Sequence, residues 1–268
     1  MTKPPSHASH YQLGKPPVTG VGLGLSARQL EQQLAGPVAA LVFDDAGVRD
    51  LGDLLDGLAD TEFSRENLGK LLTDAPAPED WRVGEVLAEH HLSVNNDGFF
   101  PWPDGRDERK RGSSLPGADL VGFQNDMGRE RFVFGEVKTS SHASYPPGAV
   151  YGRHGLKQQM EDLRNRREVR DDLVRYLGHR ASAAAWRSRY QAAASIYLKN
   201  THEVRLFGVL VRDVPPHEDD LRVRVDTLAT GCPDAMTIGL IAIYLPPGSI
   251  ATLSAKVVES RHREEGTA

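Results

Sequence analysis

Two acidic residues and a lysine stand where they can work together. Asp119 lies in Gly117-Ala118-Asp119-Leu120-Val121-Gly122-Phe123, and Glu136 and Lys138 lie in Phe134-Gly135-Glu136-Val137-Lys138-Thr139. Both stretches read as strands, over Ala118–Phe123 and Arg131–Thr139, separated by the turn signal Asn125-Asp126-Met127-Gly128. Strand side chains alternate faces, so Glu136 and Lys138 share one face while Val137 points to the other. A hairpin turning over Asp126 to Arg129 sets Asp119 opposite Glu136, Val121 opposite Phe134 and Phe123 opposite Phe132. The apolar residues on that face are then matched in pairs. The two carboxylates face each other with Cβ atoms about 4.5–5.5 Å apart, which is destabilising unless something positive lies between them. A divalent cation answers that need. Mg²⁺ or Mn²⁺ takes oxygen ligands and keeps waters for a substrate phosphate. Lys138 would then orient or activate the attacking water, or stabilise charge developing on the phosphate. The plain alternative is a pair of solvated strand acids with an ordinary lysine partner, and spacing alone leaves both readings open.

The elements needed to hold such a hairpin are visible around it. A helix is expected over Trp81–Leu92, followed by a loop rich in Asn, Asp, Gly and Pro up to Gly117. After Pro146-Pro147-Gly148, two long helices are expected over Gly155–Leu177 and Ala181–Lys199. Two apolar strands close the chain, Val204–Val211 and Thr237–Leu245, rich in the β-branched residues that strands favour. The order predicts an α/β protein with a central mixed sheet flanked by helices.

Upstream, residues 1–24 carry Pro4-Pro5, Pro16-Pro17 and the spaced glycines Gly20, Gly22 and Gly24, and are expected to form a flexible arm. Gly20, Gly22 and Gly24 look faintly like a phosphate loop, but no strand precedes them and no Gly-Lys-Ser/Thr follows. A small α/β extension is expected over 25–78, with a helix from Ser26 to Ala35, a strand from Val38 to Phe43, and helices over Val48–Leu58 and Ser64–Leu72. Ala75-Pro76-Ala77-Pro78 marks its end, because each proline disfavours helix at the residue before it. Residues 79–258 then form the main domain, and 259–268 a charged tail.

An Asp followed, across a hairpin, by Glu-x-Lys is similar to the motif of the PD-(D/E)XK nuclease superfamily, although the proline of that motif is displaced here to Pro116. The resemblance implies a restriction-endonuclease-like core over 79–258 that hydrolyses phosphodiesters of DNA with Mg²⁺. It also implies an acid on the helix before the hairpin. Glu85 in Gly84-Glu85-Val86-Leu87-Ala88-Glu89 is preferred as a further metal ligand, with Glu89 on nearly the same face as the alternative. A polar residue is implied on the helix after the Lys strand, where Gln158 is preferred over Gln159. Together with the chain size, these motifs resemble the HamA nucleases of the bacterial Hachiman anti-phage defence system. That resemblance implies a DNA-degrading effector restrained by a helicase partner (HamB-like). Restriction or DNA-repair nucleases of the same superfamily, and a non-catalytic nucleic-acid-binding adaptor, are the alternatives.

Composition agrees with a cytoplasmic protein. The 268-residue chain is 39% hydrophobic, enough for a real core. No apolar run approaches the ~20 residues that span a bilayer, and the polar, Pro-rich start is unlike a signal sequence. Cys232 stands alone, which excludes an internal disulfide and a multi-cysteine zinc site. The net charge of −5 hides a sorting along the chain: residues 44–80 hold eleven acids and three bases, residues 151–190 ten bases and five acids. The arginines at 164, 166, 167, 170 and 175 alternate with acids and read as a salt-bridged solvent face. Arg106, Arg109, Lys110 and Arg111, just after Phe99, Phe100 and Trp102, form the more compact cluster and are expected to contact a DNA backbone. His90, His91, His142 and His154 stay outside the core assignment.

Overall fold

A computed structural model describes residues 8–73, 77–103, 106–107 and 117–265. Continuous apolar sequence in β6 (Val204–Arg212) and β7 (Thr237–Tyr244) demands burial on both faces, as in parallel sheets. These two strands lie at the centre of a seven-stranded mixed sheet of order β1-β2-β7-β6-β5-β4-β3. Here β1 is Ala8–Lys15, β2 Val18–Gly24, β3 Gly98–Phe99, β4 Leu120–Asp126 and β5 Arg129–Ser140. The run β2, β7, β6, β5 is parallel, whereas β1, β4 and β3 pair antiparallel to their neighbours.

Alternation along the strands divides the core into two layers. Phe132 and Phe134 of β5, with Leu206 and Leu210 of β6, pack under α6 (Leu156–Asn165), α7 (Arg167–Ala181) and α8 (Arg187–Tyr197). On that same face α9 (Arg222–Ala229) covers β1 and β2. Val133, Val137, Val209 and Val211 face the other layer, of α1 (Ala27–Leu34), α2 (Pro37–Val42), α5 (Asp80–Asn95) and α10 (Leu253–Glu265). No helix among the described residues is long and apolar enough to cross a membrane.

Several local expectations are corrected. From Ala8 on, the arm expected over 1–24 is a hairpin turning at Pro16 and Pro17, and β2 pairs with β7 within the main sheet. Its glycines are close-packing positions: a Cβ on Gly22 would lie 2.3 Å from the Tyr11 ring, and one on Gly20 would lie 2.7 Å from Val225. The strand expected from Val38 to Phe43 is instead a helix over Pro37–Val42: Pro37 sits at the first helical position, and Val38 and Ala39 are buried in the layer with α5 and α10. The extension over 25–78 is therefore joined to the main domain's core through α1 and α2. Ser26 caps α1 in a reciprocal capping box with Gln29, as the sequence predicts. Residues 259–265 of the expected tail belong to α10, and the first long helix breaks at Arg166 into α6 and α7.

Candidate active site

Asp126 pairs with Arg129 across Met127 and Gly128, which both have positive φ, 48° and 83°, as a two-residue turn matched to strand twist requires. The register that follows pairs Phe123 with Phe132, Val121 with Phe134 and Leu120 with Gly135, so Asp119 stands one step further on, opposite Glu136. Gly117, at φ 131°, turns the chain into β4 with a backbone conformation that side-chain-bearing residues rarely adopt. Asp119 Oδ2 accepts a 2.8 Å hydrogen bond from the backbone N–H of Val137, which ties it to the strand carrying the other two groups.

Glu136 is 2% exposed, on the sheet face covered by α6, and Lys138 Nζ donates to its Oε1 at 2.5 Å. Burial, reinforced by the charge of Asp119, pushes the Glu136 carboxyl up to about 8, against the pull of Lys138. Burial likewise raises Asp119, opposed by the Val137 N–H, Lys138 and Arg82. Both carboxyls are thus shifted upward by burial, and the charge of each opposes ionisation of the other, which favours a proton held on the metal-free pair. Burial by itself would lower Lys138, but Glu136, Asp119 and Glu85 outweigh it and the net shift is upward. An ammonium held in that form is a hydrogen-bond donor and a positive charge, not a general base.

These three groups form the floor of an open cleft of about 900 Å³. One wall is the α5 face that carries Trp81 and Glu85. Gly84 lets α5 approach the end of β5, since a Cβ there would fall 2.1 Å from Thr139 Oγ1. The opposite wall holds Arg153 and His154 before α6, then Gln158, Gln159, Asp162 and Arg166. The structure thus brings together Asp119, Glu136, Lys138, Glu85 and Gln158. Glu89 does not line the cleft, which separates it from Glu85.

Glu85 is held in a 2.9 Å ion pair with Arg82, and among the described residues no group of three or more His, Cys, Asp and Glu is placed to hold a metal ion. The donor set that fits a hard cation is accordingly Asp119 and Glu136, two oxygen ligands with unfavourable negative charge between them, as Mg²⁺ sites completed by substrate phosphate use. Both glutamines face the cleft; Gln158 is exposed and donates to Asp162 at 3.1 Å, while Gln159 is half-buried.

The basic cluster resolves differently. Arg106 forms a two-pronged pair with Asp44, the N-cap of α3 (Asp45–Leu55), at 2.7 and 2.8 Å, so it is engaged away from the cleft. Arg109, Lys110 and Arg111 lie outside the described residues. Trp102 donates to Asp107, which Arg180 and Tyr176 also hold. Among the helix arginines, Arg166, Arg167 and Arg175 pair with acids on the surface as predicted. Arg170 is instead buried and donates to the carbonyls of Leu163 and Arg164, satisfying the last turn of α6. His91 is buried beside Asn95, and His142 is exposed and bonded to Ser144. Trp81, Arg82, Arg153 and Arg166 were not singled out for the site by the motifs. Trp81 and Arg82 were within reach of helical periodicity, four and three residues before Glu85; nothing local marks the other two.

No protein-family model matches the chain, and no curated protein matches it.

Proposed function

We propose that the chain is a metal-dependent deoxyribonuclease in which Asp119 and Glu136 hold Mg²⁺ or Mn²⁺ and Lys138 stabilises charge at the phosphate. The observation that carries this reading is Asp119 set opposite the 2% exposed Glu136 on the floor of an open cleft, with Lys138 Nζ donating to Glu136. Two mutually repelling carboxylates are expensive to bury unless their charge has an occupant. The ion would supply Lewis acidity toward a phosphodiester. Lys138, released from Glu136, would donate to a non-bridging phosphate oxygen; Glu85 and Gln158 would orient water and strand along the walls.

The restriction-endonuclease-like core, the defence role in the cytoplasm and the helicase partner belong to the same proposal and rest on the motif resemblance. Support for a partner comes from α3 and α4 (Glu62–Thr73), where Leu54 is 74% and Phe63 73% exposed among Asp50, Asp53, Asp56 and Glu66. An apolar stripe rimmed by acids suits a basic protein surface and would repel DNA. A non-catalytic adaptor is favoured by one observation, the absence of a third converging ligand among the described residues.

The test is cleavage of plasmid DNA with Mg²⁺, Mn²⁺ or EDTA, by the chain alone and together with a helicase encoded beside it. Metal-dependent cleavage that Asp119→Ala, Glu136→Ala and Lys138→Ala each abolish, with folding intact, is the expected result. Undiminished metal binding in the Asp119→Ala, Glu136→Ala double variant would refute the site.

A further inference from the structure

We propose that the cleft takes an unpaired DNA strand, with one nucleobase stacked on the indole of Trp81 and the adjoining phosphate carried down to Asp119, Glu136 and Lys138. This inference rests on the nuclease reading above and names its substrate.

The three tryptophans of the chain are used differently. Trp186 packs against Phe123, with ring centroids 5.7 Å apart, and Trp102 donates to Asp107 with the guanidinium groups of Arg106 and Arg180 over its ring. Trp81 stands in the first turn of α5 at the cleft, 41% exposed. Its flat ring, open to solvent at the cleft, is of the kind on which an unpaired base can stack. Glu85 follows four residues later, on the same side of the helix and about 6 Å further along its axis. Across the cleft, Arg153 and His154 present N–H donors suited to phosphate oxygens.

An exposed indole on one wall, with Arg153 and His154 facing it across the cleft, offers the two contacts, base stacking and backbone charge, that an unpaired strand uses in proteins that stack its bases and follow its backbone. A duplex does not offer the first: its base faces are covered by their neighbours, and stacking on an outside indole requires a base to leave the helix. The floor adds a second constraint. With Glu136 only 2% exposed, the reacting phosphate must descend into the cleft, which a flexible single strand does readily. Because stacking reads only the π-face of a base, the preference is for unpaired DNA without a strong base sequence.

The experiment measures binding without chemistry. Fluorescein-labelled single-stranded DNA and a blunt duplex of the same length are titrated with the full chain in EDTA at low salt, followed by anisotropy and by quenching of indole emission. The expected result is tighter binding of the single strand, weakened about 10-fold by Trp81→Ala and largely restored by Trp81→Tyr, with the weaker duplex binding unchanged. Single-strand affinity equal in wild type and Trp81→Ala, or equal affinity for strand and duplex, overturns the proposal, as does the absence of binding. The nuclease reading fails separately: strand binding that depends on Trp81, with no cleavage under any divalent cation, leaves a single-strand binding site without catalysis. Cleavage that requires Lys138 but ignores Trp81 leaves the nuclease without this substrate.

Discussion

Glu136→Gln should make the metal-free protein more stable at alkaline pH and less stable at acid pH. In the unfolded chain a glutamate titrates near 4.5; in the fold, burial and Asp119 push Glu136 up to about 8. Between those values the native state holds a proton that the unfolded state has lost, so wild-type stability falls as pH rises, by up to about 1.36 kcal/mol per pH unit. The whole interval corresponds to a ceiling on the order of 5 kcal/mol. Glutamine has the same shape and no charge, so it escapes this loss. It forfeits the strength of the Lys138 hydrogen bond, a cost of about 1.5–3 kcal/mol. The two curves should therefore cross between pH 5 and 8, the variant leading by about 2–3 kcal/mol above pH 8. Urea unfolding in EDTA at unit steps from pH 5 to 9, with equal m-values, measures this difference. A gap between variant and wild type that is flat in pH, or a wild type that gains stability relative to the variant on going from pH 5 to 8, would refute the buried dyad. Saturating Mg²⁺ at pH 8 should close the gap by stabilising the wild type alone.

Two further outcomes follow from the packing. Gly84→Ala should destabilise the fold by about 1–2 kcal/mol, since overpacking against Thr139 exceeds the gain in helix propensity; adding Thr139→Ala should recover most of that loss in thermal unfolding. Arg170→Met, at a position 1% exposed, should cost about 3 kcal/mol in denaturant titration by leaving the Leu163 and Arg164 carbonyls without their donor, whereas Arg175→Met on the surface should stay within about 0.5 kcal/mol.

The hairpin was legible because its information is local. A two-residue turn at Met127-Gly128 and a period of two along both strands leave one register that buries Phe123, Phe132 and Phe134 together, and that register places Asp119 against Glu136. The helix carrying Glu85 and the two central strands declared themselves through periodicity in the same way. Other features depended on partners distant in sequence. The run from Val38 to Val42 is apolar enough for either state, and became a helix where α5 and α10 offered it a layer to join. Residues 8–24 have the glycines of a loop, yet form two strands because Tyr11 and Val225 fill the space over those glycines and β7 offers a free edge. Arg106 reads as a phosphate contact among its basic neighbours, until Asp44, 62 residues away, captures it. The break at Arg166 has no proline or glycine to announce it, and α6 ends there with Arg170 folded back onto its last carbonyls. Local pattern thus carried the candidate site groups and their mutual spacing. The walls of the cleft, from Trp81 on one side to Arg153 and Gln159 on the other, come from segments distant in sequence that only the tertiary structure brings together, because side-chain burial and ion pairing are set by neighbours in space.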